Sequence, residues 1–157
     1  MISTEDYVAS IDGTRLFERM WRPDGAAKAA VLIVHGYAEH SGRYAWTAGK
    51  LVERGYVVLS FDLRGHGKSD GERVYIKSMN EYLDDVDAAL LRLREAAPDL
   101  PLFVLGHSMG GGVVSLYACE RIPRGNTTRE RIKGIVLSGG VLPPPPSIAA
   151  SLLTAVV

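Results

Sequence analysis

The sequence predicts an α/β fold in which two antiparallel N-terminal strands precede a parallel sheet with helices on both faces. Three observations support this prediction: an early hairpin signal, short apolar runs without polar alternation, and segments of helical spacing between those runs. Apolar runs of this kind are typical of strands buried on both faces, as in a parallel sheet covered by helices. Strands that alternate with helices favour a doubly wound sheet with right-handed crossovers.

The hairpin signal lies near the N-terminus. Residues 7–10 and 15–21 flank Asp12-Gly13, a dipeptide typical of tight hairpin turns. We therefore expect two antiparallel edge strands before the parallel part of the sheet begins. Four apolar runs then mark the candidate parallel strands, at residues 31–34, 57–59, 102–105 and 135–137.

Segments between these runs have the spacing of amphipathic helices. The first runs from about Tyr44 and is expected to end near Gly55, since glycine commonly follows the last helical residue. The second opens at Ser78-Met79-Asn80-Glu81, a capping-box pattern, and should end before Pro98. A third helix is expected to follow residue 108 and to end near Arg121.

Composition narrows the function classes. The chain has 157 residues, of which 46% are hydrophobic, so it can bury one sizeable core. Its 18 basic and 18 acidic residues give no net charge, and we expect no nucleic-acid partner. A single cysteine, Cys119, excludes an internal disulfide, and the N-terminus lacks a signal-peptide pattern, so we expect a cytoplasmic protein. No cluster of cysteine and histidine residues suggests a metal, and we expect no cofactor.

The most informative motif is Gly106-His107-Ser108-Met109-Gly110, which follows one apolar run and precedes the third predicted helix. A Gly-x-Ser-x-Gly sequence in this context is typical of a sharp strand-to-helix turn that presents the serine as a nucleophile. Glycine is needed at Gly106 and Gly110, because side chains there would collide where the chain folds back. Ser108 is therefore the candidate nucleophile.

The same pattern occurs a second time, as Gly67-Lys68-Ser69-Asp70-Gly71. It follows no strand and precedes no apolar helix, so Ser69 is rejected as a nucleophile. Its first half also resembles the end of a phosphate-binding loop. The leading glycine of that motif would fall on Asp62, so we expect no nucleotide site.

A second functional element, His35-Gly36-Tyr37, directly follows the apolar run 31–34. Acyl transfer needs two N–H donors where the oxyanion develops, and each contributes on the order of 3 kcal/mol. The backbone N–H groups of Tyr37 and Met109 are the candidates. We expect His35 and Gly36 to be structural residues at the site.

Three motifs together resemble those of the monoacylglycerol lipase and lysophospholipase group of α/β-hydrolases. They are residues 35–44 (HGYAEHSGRY), 62–69 (DLRGHGKS) and 106–111 (GHSMGG), and they occur in the order seen in that group. The resemblance covers essentially the whole chain. It implies an α/β-hydrolase-type sheet and a serine hydrolase of medium- or long-chain monoesters of glycerol, with a mobile, partly apolar cap over the site.

The resemblance also implies roles for individual residues. Ser108 would be the nucleophile, and the amides of Tyr37 and Met109 would form the oxyanion hole. Residues 64–67 would form a structural loop that braces the turns around the site. His107 adjoins the serine, but neighbouring side chains at such a turn diverge, so we expect it to be structural.

The chain differs from that group in its catalytic acid and base. There the aspartate and histidine follow the serine in chain order. Here all four histidines precede it, and the carboxylates of Glu120 and Glu130 are not credible triad acids. We therefore expect the N-terminal half of a hydrolase, with core residues 1–142 and the start of a cap at 143–157. The acid and base would come from a C-terminal part, and the 157 residues alone would be inactive.

Three interpretations remain open at this stage. The chain is one piece of an active carboxylester hydrolase, with a C-terminal fragment as partner and transient membrane contact through the cap. Alternatively, it is a truncated, non-catalytic module that binds lipid or another protein. In the third interpretation it acts on another substrate class on the same fold, such as a thioester or a peptide. A serine nucleophile disfavours epoxide hydrolysis, which needs a carboxylate.

Overall fold

The computed structural model describes residues 1–124 and 132–140. Within them, six strands form one sheet in the order β1-β2-β4-β3-β5-β6. The elements are β1 (Ile2–Ala9), β2 (Arg15–Arg22), β3 (Ala29–Val34), α1 (Ala45–Val52), β4 (Tyr56–Phe61), α2 (Met79–Ala96), β5 (Leu102–His107), α3 (Met109–Glu120) and β6 (Ile132–Ser138). Two short 3-10 helices, Ser41–Tyr44 and Ile122–Arg124, precede α1 and follow α3. This mixed sheet with helices confirms the predicted fold class.

The N-terminal hairpin is present as predicted. β1 pairs antiparallel with β2 along its whole length, and Gly13 adopts a φ of 85° in the connecting turn. β2 also pairs antiparallel with β4. The prediction of two edge strands was therefore wrong for β2, which lies inside the sheet, whereas β1 lies at its edge. The Asp12-Gly13 signal predicts a hairpin, but it does not predict which strand pairs with the other edge of β2.

Strands β4, β3, β5 and β6 are parallel, and helices pack on both faces of the sheet around β3. Neighbouring residues of β3 point to opposite faces. Leu32 lies in an apolar cluster with Leu83 of α2 and Val113 of α3. Ile33 lies in a second cluster with Ala48 of α1. The core therefore consists of two apolar layers separated by the sheet.

Burial on both faces was predicted for all four parallel strands, and it is not uniform. Every residue of β3 is buried, and so is every residue of β4 except Tyr56, which is half-buried. In β6, Ile135, Val136 and Leu137 are exposed within the part of the chain that the structure describes. β6 pairs only with β5 among the described strands, so its other edge and much of its surface are uncovered there. An apolar run indicates a strand but not its position in the sheet.

The helix ends follow the predicted signals with one difference. Ser78 caps α2, and its hydroxyl accepts a hydrogen bond from the Asn80 amide at 3.2 Å. In a capping box the carboxylate of Glu81 would accept from the amide of the capping residue. Here it accepts instead from the amide of Lys77, one residue earlier, at 2.7 Å. α2 ends at Ala96, shortly before the predicted stop.

The predicted cap segment, residues 143–157, lies outside the described residues, so the boundary after residue 142 stays a prediction. Residues 125–131, which include Glu130, also lie outside them. None of the helices in residues 1–124 and 132–140 combines the length and the apolar character needed to span a bilayer.

Candidate active site

Ser108 occupies the single-residue turn between β5 and α3. Its φ of 51° and ψ of −119° lie in a region that residues with a side chain rarely adopt, so the turn is strained. The Ser108 amide donates to the carbonyl oxygen of Ser138 in β6 at 3.0 Å, and its carbonyl accepts from the Gly111 amide at 2.9 Å. These bonds hold the serine backbone from both sides. The structure thus places the candidate nucleophile at a sharp strand-to-helix turn.

The two flanking glycines allow the backbone to approach itself closely. A Cβ atom at Gly106 would lie 2.5 Å from the carbonyl oxygen of Gly110. A Cβ atom at Gly110 would collide with the carbonyl oxygens of Val34 and His35, at the end of β3. Any larger residue would therefore push the start of α3 away from β3. The structure therefore contains the close backbone approach that the sequence predicted, at which any side chain would collide.

The loop after β3 brings its backbone against the serine. Val34 and Gly106 are paired across β3 and β5, so the loops that follow the two strands begin side by side. A Cβ atom at Gly36 would lie 3.1 Å from the Cβ atom of Ser108 and 3.4 Å from the carbonyl oxygen of His107. Glycine at this position therefore permits the close approach of the loop to the turn.

The two candidate oxyanion donors lie on either side of this contact. Tyr37 follows Gly36 directly, and its side chain is 61% exposed. Met109 is the first residue of α3, and the N–H groups of a first helical turn have no acceptor within the helix. Both amides thus belong to segments that adjoin Ser108. Their role in binding an oxyanion stays a prediction.

His35 is a buried structural residue of this loop. Its Nε2 accepts a hydrogen bond from the Leu63 amide at 2.9 Å, so in the neutral ring Nδ1 carries the proton. Nδ1 then donates to the carbonyl oxygen of Gly36 at 2.7 Å. Burial lowers the pKa of His35 to about 4, so the ring is neutral near pH 7. Both ring nitrogens are engaged, and neither is free to take a proton from Ser108.

Of the other three histidines, His40 and His66 lie in loops and His107 is the last residue of β5. His66 is buried, and its Nδ1 lies 3.0 Å from the carbonyl oxygen of Arg64. His40 directly precedes the 3-10 helix, and its ring would lie 3.0 Å from a Cβ atom placed on Gly42. His107 Nδ1 lies 3.4 Å from Ser138 Oγ. Within the described part of the chain, no hydrogen bond joins Ser108 Oγ to a histidine.

Ser69, the centre of the second Gly-x-Ser-x-Gly pattern, has a different setting. It is buried, its hydroxyl donates to the carbonyl oxygen of Asp62 at 2.5 Å, and it accepts from the Phe17 amide at 2.8 Å. No helix starts at the following residue. Ser69 therefore links β2 to the loop after β4, and its hydroxyl is fully used in that contact.

The loop of residues 64–67 is anchored by a buried arginine. The Arg64 guanidinium donates to both carboxylate oxygens of Asp85 in α2 and to Asp12 in the hairpin turn. The hydrogen bond from Arg64 is the main cause that lowers the pKa of Asp12 to about 2. One side chain thus joins the hairpin, the loop and α2 beneath the site.

The sequence analysis missed one residue of this loop, Glu39. Its carboxylate accepts hydrogen bonds from the Gly36 amide at 3.0 Å and from the Tyr44 hydroxyl at 2.8 Å. The signal in the sequence is its position three residues after Gly36, a spacing at which a glutamate carboxylate can turn back to a backbone amide. No group of three or more histidine, cysteine or carboxylate side chains in residues 1–124 and 132–140 is arranged to hold a metal ion.

Comparison with known proteins gives matches over most of the chain. A profile of the family described as serine aminopeptidase, S33, matches residues 25–157. The chain is 40% identical over 117 residues to a monoacylglycerol lipase of Mycolicibacterium smegmatis, a match that covers 74% of this chain and 42% of that protein. It is 40% identical over 115 residues to human monoglyceride lipase, covering 73% of this chain and 38% of that protein.

Among solved structures, a thermostable carboxyl esterase from Bacillus coagulans in complex with glycerol is similar, with a TM-score of 0.78 and 29% identity. This similarity covers 99% of the present chain and 49% of the esterase. The chain therefore spans about two fifths of the length of the curated relatives it matches and about half of the esterase.

Proposed function

Because the chain belongs to the serine aminopeptidase S33 family, in the monoacylglycerol lipase group of α/β-hydrolases, we propose that it carries the nucleophile of an ester hydrolase. The reaction is hydrolysis of a carboxylic ester through an acyl-enzyme on Ser108. The observation that carries this proposal is the strained backbone of Ser108, against which the Gly36 backbone lies. Strained residues of this kind cluster at active sites, which also argues against a non-catalytic module.

The proposed mechanism begins when a histidine removes the proton of Ser108 Oγ as the oxygen attacks the ester carbonyl carbon. The N–H groups of Tyr37 and Met109 stabilise the negative charge that develops on the carbonyl oxygen. The tetrahedral intermediate collapses, the histidine gives its proton to the leaving alcohol, and the acyl group stays on Ser108. Water, activated by the same histidine, then releases the carboxylic acid and frees the serine.

The histidine and its aspartate partner come, in this proposal, from polypeptide other than these 157 residues. Two observations support this: His35 has both ring nitrogens engaged, and no described histidine is hydrogen-bonded to Ser108 Oγ. In α/β-hydrolases the acid and base follow the nucleophile in the chain. The 157-residue chain alone is accordingly proposed to be inactive.

The proposed substrate class is a lipid monoester such as a monoacylglycerol. The names of the relatives support it, since two proteins that are 40% identical to the chain are called monoacylglycerol or monoglyceride lipase. Transient contact with a membrane through the cap, and a cytoplasmic location, belong to the same proposal.

The test is active-site labelling of the full-length protein that contains this chain. A fluorophosphonate probe is expected to label Ser108, identified by mass spectrometry of the labelled peptide. Ser108→Ala should abolish both labelling and turnover of a monoacylglycerol, whereas Ser69→Ala should leave the site of labelling unchanged. Labelling at Ser69, turnover by Ser108→Ala, or turnover by residues 1–157 alone would overturn the proposal. Preference for a matched thioester over the monoacylglycerol would overturn the substrate class alone.

A further inference from the structure

Glu39 lies at the centre of the hydrogen bonds that shape the loop after β3. Its side chain is only 15% exposed. One carboxylate oxygen, Oε2, accepts from the Gly36 amide and from the hydroxyl of the buried Tyr44. The other, Oε1, lies 3.3 Å from Nε of Arg43. A single carboxylate therefore holds the loop backbone, the following 3-10 helix and a cationic side chain together.

These contacts fix the orientation of the Tyr37 N–H through two successive peptide groups. The peptide between His35 and Gly36 is held by its N–H, which donates to Glu39. The peptide between Gly36 and Tyr37 is held by its carbonyl oxygen, which accepts from His35 Nδ1. In a trans peptide the N–H points away from the C=O, and no described peptide bond is cis. His35 therefore sets the direction of the Tyr37 N–H directly, and Glu39 contributes by holding the preceding peptide, which is joined to it at the Gly36 Cα.

The loop also contains a backbone conformation that needs support. Ala38, between Tyr37 and Glu39, has a φ of 53°, in the left-handed region that residues with a side chain rarely adopt. Such a conformation persists only where the surrounding contacts impose it. The Glu39 carboxylate supplies these contacts by turning back to the Gly36 amide, so the strained backbone and the hydrogen bond belong to one local arrangement.

We propose that Glu39 is a positioning residue for the reaction, which holds the Tyr37 N–H in place to receive the oxyanion formed at Ser108. This inference rests on the function proposed above. Glu39 itself does not touch the reacting atoms. It acts through the Gly36 backbone, whose Cα carries no side chain and lies against the Cβ of Ser108. Release of the loop would therefore change the distance between the donor and the oxyanion.

The charge of Glu39 is consistent with this role. Burial raises the pKa of Glu39, but the hydrogen bonds from Tyr44 and Gly36 and the nearby Arg43 outweigh burial, so the pKa is lowered overall. The carboxylate is therefore ionised near pH 7 and accepts both hydrogen bonds. Arg43 offsets its negative charge, which would otherwise oppose the developing oxyanion. Burial also raises the pKa of Tyr44, so its hydroxyl keeps the proton that it donates.

The experiment compares three variants of the full-length protein with the wild type. Glu39→Ala removes both acceptors and is expected to lower kcat about 100-fold with KM changed less than about threefold, since misplacing one donor affects the transition state. Glu39→Gln keeps an amide oxygen that can accept from Gly36 and Tyr44, and should recover kcat to within about tenfold of wild type. Glu53→Ala removes an exposed carboxylate that pairs with Lys50, and should leave both constants unchanged.

Labelling by a fluorophosphonate separates this inference from the proposed function. If wild-type protein is not labelled at Ser108, the proposed function fails. If wild type is labelled and Glu39→Ala is labelled and turns over at the wild-type rate, only the role of Glu39 fails. An equal loss of kcat in Glu39→Gln and Glu39→Ala, or a change in KM without a change in kcat, would also overturn the positioning role of Glu39.

Thermal unfolding provides the structural control. Should Glu39→Ala fail to fold, Glu39→Met decides in its place, because methionine fills a similar volume and supplies no carboxylate. Loss of folding in both variants would show that Glu39 is needed for stability, and would overturn the positioning role.

Discussion

Arg64 and Asp85 form a bidentate ion pair, with two guanidinium nitrogens 2.6 and 2.9 Å from the two carboxylate oxygens. Both residues are buried, and Asp85 is completely inaccessible to solvent. The cost of removing two charges from water is offset only while the pair is intact and fully hydrogen-bonded. Burial raises the pKa of Asp85, and the bonds from Arg64 oppose this shift.

Loss of the arginine should therefore destabilise the fold strongly. Arg64→Met keeps much of the side-chain volume but leaves the Asp85 carboxylate buried and unpaired. We expect the free energy of unfolding to fall by about 3–5 kcal/mol, measured by chemical denaturation. Arg15→Met breaks the exposed pair with Asp70 and should have a much smaller effect. Equal losses in the two variants would contradict the assignment of Arg64 as an anchor.

Stability should also depend on pH through Asp12. The hydrogen bond from Arg64 is the largest of the causes that lower the pKa of Asp12 from 3.8 to about 2 in the folded protein. A depressed carboxylate pKa stabilises the fold above the unfolded value, and this contribution is lost as the pH falls towards the folded value.

Asp12→Asn should accordingly reduce the fall in stability between pH values of about 4 and 2, followed by urea unfolding at each pH. Asp99→Asn, at an exposed position after α2, is the matched control, and its stability should depend on pH as that of the wild type does. If the stability of Asp12→Asn also falls with pH as in the wild type, the coupling of Asp12 to Arg64 does not contribute to acid sensitivity.

A methyl group should have opposite effects at two helical glycines. Gly110→Ala places a Cβ against the carbonyl oxygens of Val34 and His35, and we expect a loss of about 1–3 kcal/mol from overpacking. Gly49→Ala, within α1, meets no atom within 4 Å, and should raise stability by about 0.5–1 kcal/mol. Thermal unfolding checks both values. Tolerance of Gly110→Ala would show that α3 is not held closely against β3.

The strain at Ser108 should be measurable as stability. Ser108→Gly removes the Cβ that disfavours a φ of 51°, and we expect the free energy of unfolding to rise by about 1–2 kcal/mol. Ser108→Ala keeps the Cβ and therefore the strain, so it should give no comparable gain. Both variants lack the hydroxyl, so the difference between their free energies of unfolding reports the backbone strain alone. Identical stabilities would mean that the turn stores no strain.

The sequence alone predicted the features that depend on local patterns. The hairpin at Asp12-Gly13, the alternation of strands and helices, and the turn at Ser108 all follow from short-range spacing and glycine placement. The interior place of β2 could not be predicted, because it depends on which strands become neighbours. The spacing of Glu39 from Gly36 permits their contact but does not predict it, because the loop between them also has a positive φ at Ala38, which an alanine does not signal.

The pairing of β3 with β5 brings together two loops that lie about 70 residues apart in the sequence. The chain between Gly36 and Ser108 contains β4, α2 and β5, and the two residues meet where β5 lies beside β3. Contacts of such long sequence separation form slowly, because chain entropy is lost before the contact is gained. During synthesis, a nascent chain that ends before β5 would contain the loop after β3 but not Ser108, which that loop contacts in the folded protein. We therefore expect the serine and its neighbouring backbone to come together late in folding.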